Sequence, residues 1–387
     1  MPLLRTLREP FSGLVVIAAA SLGLLAGCGP SIPSSIKIGV AQPLSGPSAD
    51  RGQDLVNGVQ LAVKELNAAG FKVAGKPVTI QVVVVDDKAD AATAKKVAQD
   101  LVDQKVVAVI GHLNSDITEA TIPIYKQGNV PQLFTSSAVE LSKLGDGNVF
   151  RLVANDALQA QAVGGYLGGT LKAGKVAVIY EDTAYGAPLA KSVAESLAKQ
   201  GKSVSGSIGV DTQRTDFAEF VAKLKADKPD ALVTVLREHQ LLPLFDALQA
   251  AQLNELPVVA TSVAKTRKVA NAPVDMKSFY LTSSALTPRE FVAGPAFSAK
   301  FRAAYNSDPV WAAHYAYDAV HVLADAMRAA DSVDAKDLRE RLHKIDANAP
   351  VTSNMRFNAE GEQSYATVTI YRRRGGEWEP VMRSDKW

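Results

Sequence analysis

The sequence predicts an α/β protein of two doubly wound units, each a parallel sheet wrapped by helices, set side by side with a cleft between them. Three observations carry that expectation. Apolar, β-branched runs alternate with helical periodicity from Ile36 to Thr135. The alternation restarts at Asn155 and runs to Ala260. The 387 residues exceed one ordinary core and suit two α/β domains. With 47% hydrophobic and 21% charged residues, the body is expected to be globular rather than disordered.

The first element is a leader. Arg5 and Arg8 precede an uncharged apolar run, Phe11 to Ala26. At 16 residues it suits a signal-peptide core better than a membrane span, which needs about 20. It ends in Leu25-Ala26-Gly27-Cys28, which resembles a bacterial lipobox: small residues fit a lipoprotein signal peptidase, and the thiol receives a lipid. Cys28 is the only cysteine, which excludes an intramolecular disulfide. Residues 1–27 thus read as a lipoprotein signal peptide and 28–35, rich in Pro and Ser, as a linker.

In the first unit, Ile36–Gln42 reads as a strand, and Pro43–Pro47 as a loop of residues that stop regular structure. In Gly52–Ala69, Leu55, Val59, Ala62, Val63 and Leu66 share one helical face. Val78–Val85 is continuously apolar, which predicts a strand covered on both faces. Helices follow at Ala89–Gln104 and Ser115–Lys126, strands at Val106–Gly111 and Val130–Thr135. In the second unit, helices are expected at Asn155–Leu171, Tyr185–Gln200, Thr215–Lys225 and Gln240–Ala251. They alternate with strands at Lys175–Tyr180, Ser203–Val210, Asp230–Leu236 and Pro257–Ala260. Late helices at Arg289–Tyr305 and Val310–Ala330 precede a strand, Ala366–Arg372, expected to close the chain. The Arg372–Arg374 triplet on that strand reads as a solvated edge, with a partner contact as the alternative.

Charge and motif exclude several functions. Forty-two basic against 40 acidic residues leave a net charge of +2, without the basic face a nucleic-acid partner requires. The five histidines lack zinc-hydrolase spacing, and His314 and His321 read as packing or surface residues. No nucleophile elbow or P-loop occurs. The Gly164–Gly169 stretch lies inside a helical segment rather than after a strand, so it reads as close helix packing rather than a dinucleotide loop. Ser196 and Lys199 have serine-x-x-lysine spacing on an amphipathic helix and look incidental. No enzyme is supported, and no cofactor or metal is expected.

Ligands of doubly wound sheets sit beyond the carboxyl ends of the strands. That directs attention to the loops Pro43–Arg51, His112–Asp116, Ser136–Glu140, Glu181–Tyr185, Leu236–Gln240 and Thr261–Lys265. Ser115 opens a helix directly after a buried strand. Its hydroxyl and the free backbone N–H groups either hold a carboxylate or form an ordinary serine cap. Ser136 and Ser137 add donors on the neighbouring loop.

The chain resembles the leucine/isoleucine/valine-type solute-binding proteins of ABC importers. The resemblance rests on Ile38-Gly39-Val40-Ala41-Gln42-Pro43-Leu44-Ser45-Gly46-Pro47, Asn57-Gly58 and Val109-Ile110-Gly111-His112. It continues with Asp182-Thr183-Ala184-Tyr185-Gly186, Phe217-Ala218-Glu219-Phe220 and Lys223-Leu224. It implies the type I periplasmic-binding-protein fold: two lobes joined by three crossovers, here near Asn155, Ser284 and Glu362, closing on a ligand. Lobe I is then 36–155 with 286–362, and lobe II 156–285 with 363–387. Carried over by position, Ser115 with its neighbour Asn114 grips the ligand carboxylate. Ser137, Ala138 and Val139 contribute from the next loop, and Tyr185 covers the ligand from lobe II.

Three positions depart from the family pattern. Val139 stands where a threonine is common. No acidic residue occupies Thr261–Val263, around Ser262, to pair with an amine. Arg51 replaces an apolar wall residue. Arg51 either clamps a second carboxylate or Glu238 pairs with an amine, or else Arg51 and the Arg237/Glu238 loop form an inter-lobe salt bridge or simply face water. The implied protein is an extracytoplasmic, lipid-anchored, monomeric binder of a small carboxylate or amino acid, serving an importer permease. A sensor or a structural envelope lipoprotein of the same fold is the alternative.

Overall fold

In the computed structural model, which describes residues 32–386, the strand Ser35–Gln42 organises the first sheet. Cys28 and the leader lie outside the described residues. Ser35–Gln42 pairs in parallel with Thr79–Asp86 on one side and Ala108–Ile110 on the other, and Gln132–Phe134 and Val149–Arg151 extend the sheet. Period-two alternation sends Ile36, Ile38 and Val40 into a core shared with the helices Ala49–Ala68 and Ala313–Ala330. Ala41 faces the opposite core, with Ala98, Leu101 and Tyr125 from Ala91–Asp103 and Ser115–Gln127. Both faces are therefore covered. The helices Ala49–Ala68 and Ala313–Ala330 cross so closely that a Cβ at Gly58 would stand 2.1 Å from the Ala313 carbonyl oxygen.

The second sheet repeats the plan. Ser203–Val210, Lys175–Glu181, Ala231–Val235, Val258–Ala260 and Phe279–Ser283 run parallel in that spatial order. Two antiparallel strands, Thr369–Arg374 and Glu377–Arg383, complete it. The chain passes between the sheets three times, and the passages are bonded to one another. The Ala154 N–H donates to the Ser284 carbonyl at 3.0 Å. The Asn155 side-chain amide donates to Glu362 Oε2 at 3.2 Å. Fully buried Arg151 binds the same carboxylate at 3.0 Å and donates to the Ala138 and Ser136 carbonyls. The crossovers are thus tied to the loop after Gln132–Phe134.

Several expectations need correction. Thr79–Asp86 packs on both faces, Val82 and Val84 on one core and Val83 and Val85 on the other, but as the sheet edge it leaves all four only half-buried. Strands at Val149–Arg151 and Phe279–Ser283, the helix Ala335–Leu342 and the hairpin Asp346–Ala349/Ser353–Arg356 were not foreseen. Glu377–Arg383, not Thr369–Arg374, is the last strand. The arginine triplet does not lie on a sheet edge, because its strand lies between two others, although Arg374 is exposed as expected. Arg373 donates to the carbonyls of Ala270, at 2.9 Å, Val274, at 3.0 Å, and Ala272. Gly164 does mark close helix packing: a Cβ there would stand 2.3 Å from Ser196 Oγ.

Candidate functional site

A cavity of about 410 Å³ opens between the carboxyl ends of the two sheets. From the first-sheet side it is lined by Ser48 and Arg51 of the first helix region, by Asn114, Ser115 and Asp116, and by Thr135 and Ser137. Tyr185, Gln213, Arg237, Glu238, His239, Ser262, Val263 and Thr266 face it from the second-sheet side. Trp311 and the crossover residue Ser284 complete the wall.

Ser115 begins the helix Ser115–Gln127, whose amino end carries no side-chain cap. The Asn114 Oδ1 is buried without a hydrogen-bond partner. Ser115 Oγ accepts the Ala138 N–H at 3.3 Å, tying the two loops together. The first N–H groups of a helix have no intrahelical acceptor, and the helix dipole favours an anion there. This corner is an anion site in its chemistry: uncapped amides beside the hydroxyls of Ser115 and Ser137.

Across the cavity, Tyr185 precedes the helix Gly186–Lys199, with its hydroxyl buried and unpartnered. Burial pushes the phenol pKa up, so it stays a neutral donor. Behind it, Asp156 is held up at about 6 by burial. Arg237 pairs at 3.2 Å with Glu181, whose own carboxyl is raised by burial despite that cation. Glu238, the first residue of the helix Glu238–Ala250, is engaged by the segment that follows Val258–Ala260: Thr266 Oγ1 donates to it at 2.5 Å, and Lys268 stands 3.1 Å away. Lys265 is buried behind this loop and donates to Ser283 Oγ at 3.2 Å and the Ala285 carbonyl at 3.1 Å. Burial pulls its amine pKa down to about 7.

Arg51 forms no inter-lobe salt bridge with Glu238. Its guanidinium lies over the Trp311 ring, 4.0 Å from the centroid. Burial lowers its pKa to about 10, which leaves it charged at neutral pH. Its place is set one helical turn on by Asp54. That carboxylate accepts the N–H groups of Val310, Trp311, Ala312 and Ala313 at 2.7 to 3.0 Å, capping the late helix Ala313–Ala330.

The structure thus brings Ser115, Asn114, Ser137, Tyr185, Arg51, Arg237, Glu238 and Ser262 to one cavity. Ala138 and Val139 do not line it. The Ala138 backbone is spent on Ser115 and Arg151, and the Val139 carbonyl accepts from Ser142. Trp311, Thr266, Gln213 and Ser284 lie outside the loops singled out by sequence. The sequence places Trp311 inside the helix Val310–Ala330, whereas that helix begins at Ala313, two residues later. A Pro-Val-Trp sequence ahead of an alanine-rich helix was the available signal. Among the described residues no group of three or more His, Cys, Asp or Glu is placed to hold a metal ion.

Comparison with known proteins places this geometry. A family model described as Periplasmic binding protein matches residues 35–377. The chain is 28% identical over 371 residues to a Leu/Ile/Val-binding protein homolog 2 of Brucella abortus, covering 95% of this chain and 96% of the relative. It is 28% identical over 381 residues to an amino acid binding protein of Pseudomonas aeruginosa, covering 95% and 96%. Among solved structures, the branched-chain amino acid transporter substrate binding protein LivJ of Streptococcus pneumoniae, in complex with isoleucine, superposes with a TM-score of 0.78. It shares 27% identity, over 90% of this chain and 99% of that one.

Proposed function

The chain belongs to the periplasmic binding protein family, and from that premise we propose that it captures a small carboxylate between its two lobes and delivers it to an ABC importer. The observation that supports this best is the uncapped amino end of Ser115–Gln127 opening onto the cavity. There the ligand carboxylate accepts from the first-turn amides and from the hydroxyls of Ser115 and Ser137. Tyr185 and Ser262 approach from the other lobe. A ligand that touches both lobes binds the closed arrangement more tightly than the open one, so binding shifts the population towards closure. Closure then presents a surface that the importer can distinguish.

In this reading lobe I comprises 36–155 and 286–362, and lobe II 156–285 and 363–387. The bonded crossovers at Asn155, Ser284 and Glu362 form the hinge. The protein works outside the cytoplasm, as a monomer, anchored by a lipid on Cys28 after removal of residues 1–27. The family is one of solute binders, and the reading assigns the chain no catalysis, cofactor or nucleic-acid partner. A thermal-shift screen of the purified protein against amino acids, aliphatic and aromatic carboxylates and amides tests it. A ligand at 100 times its Kd adds about 2.7 kcal/mol of stability. A clear melting rise confined to carboxylates supports the reading, and a flat response across the panel overturns it.

A further inference from the structure

Of the charged residues that line the cavity, Arg237 is paired with Glu181 and Glu238 with Lys268. Asp116 is exposed to solvent. Arg51 differs from all three. Its Nε is buried without a hydrogen-bond partner, and none of the ion pairs among the described residues involves it. The nearby carboxylate of Asp54 is already spent on four backbone N–H groups. Arg237 adds repulsion from the facing loop. Arg51 is half-buried and has no ion-pair partner, so an anion entering the cavity beside it meets an unused charge. The neighbouring donors have the same bias: Trp311 Nε1 and the Tyr185 hydroxyl are also buried without acceptors.

We propose that the ligand is a small dicarboxylate, one carboxylate at the amino end of Ser115–Gln127 and the second on the guanidinium of Arg51 over Trp311. The inference rests on the carboxylate-binding reading above and narrows it. Arg51 is the specificity-determining residue. Its planar fork matches a carboxylate in bidentate fashion, which an ammonium on a flexible stem does not. A zwitterionic aliphatic amino acid fits poorly, because it offers no anion to Arg51. Its amine would also find the Glu238 carboxylate already engaged by Thr266 and Lys268.

The test is calorimetric titration of the purified protein with succinate, glutarate and adipate, each beside its own monoamide, and with leucine. The monoamide keeps length and shape and removes one charge. The expected result is that the best-fitting diacid binds at least ten-fold tighter than its monoamide. Arg51→Met should abolish that preference, with the diacid losing more affinity than its monoamide, and Arg51→Lys should restore it only in part. A monoamide or leucine that binds as tightly as every diacid overturns the inference alone, as does a diacid preference that survives Arg51→Met. If no carboxylate of any kind binds to the wild-type protein, the carboxylate-binding reading itself fails. Should Arg51→Met not fold, the wild-type diacid-to-monoamide ratio and the Arg51→Lys variant still decide the matter.

Discussion

The guanidinium carbon of Arg51 stands 4.0 Å from the centre of the Trp311 ring, although 260 positions separate the two residues in sequence. Asp54 makes this possible. It sits one turn beyond Arg51 on the same helix and fixes the backbone at Val310–Ala313, so the indole is delivered beneath the guanidinium. One buried carboxylate therefore caps a helix, packs Ala49–Ala68 on Ala313–Ala330 and builds one wall of the cavity between the sheets.

Asp54→Ala should accordingly be costly to both stability and binding. It leaves four N–H groups without their charged acceptor, and unmade hydrogen bonds of buried groups cost about 1–3 kcal/mol each when unrelieved. With partial relaxation a loss of about 3 kcal/mol is expected, read from the urea midpoint. Carboxylate affinity should fall with it, because Trp311 is released. An unchanged midpoint would show that the four bonds contribute nothing net.

At the crossovers between the sheets, Arg151 is fully buried, and Glu362 is its counter-charge. Glu362→Ala leaves that cation uncompensated, which costs about 3–5 kcal/mol. The variant should also bind ligand more weakly, since Arg151 holds the Ser136 and Ala138 carbonyls beside the anion site. Chemical denaturation and a titration on the same sample check both effects.

His314 gives a pH signature. It is buried among Phe291, Phe297 and Tyr315, with no hydrogen-bond partner on either ring nitrogen. Burial, reinforced by the charge of Lys265, lowers its pKa from 6.5 to about 3. A depressed folded-state pKa contributes stability that is present above the unfolded value and lost as pH falls towards the folded one. At pH 5 the loss is about 2 kcal/mol. His314→Phe should therefore flatten the decline in stability between pH 6.5 and pH 4, relative to the wild type. Parallel declines in the two proteins would place the titration elsewhere.

The sequence made much of the scaffold legible, because its signals are local. Ser203–Val210 was predicted at the residues where the strand lies, and the amino end of the helix at Ser115 coincides with the predicted start. The short strands that were predicted, such as Ala108–Ile110 and Val258–Ala260, lie in longer apolar runs, and those that were missed include two without that support. Val149–Arg151 offers three residues and no usable alternation, and Asp346–Ala349 is too polar to stand out. In the site, the loops at strand ends pointed to Arg51, Ser115, Ser137, Tyr185 and Arg237 because doubly wound topology places such loops together. The Arg51–Trp311 contact and the Asp54 cap were not legible. They depend on the packing of one helix against another more than 240 positions later, which no local period encodes. The fate of Glu238 was open for the same reason. Only the fold shows that Thr266 and Lys268 occupy its carboxylate.

The most direct test of carboxylate capture at the helix end is a calorimetric titration of wild type and Ser115→Ala with the carboxylate that gives the largest melting rise. Removing a hydroxyl that donates to a charged ligand costs about 1.5–3 kcal/mol, a loss of roughly 10- to 150-fold in affinity. A weakening in that range, with the variant as stable as the wild type, is the expected result. Equal affinity in the two proteins would contradict the account, because the ligand would then not lie at the amino end of Ser115–Gln127.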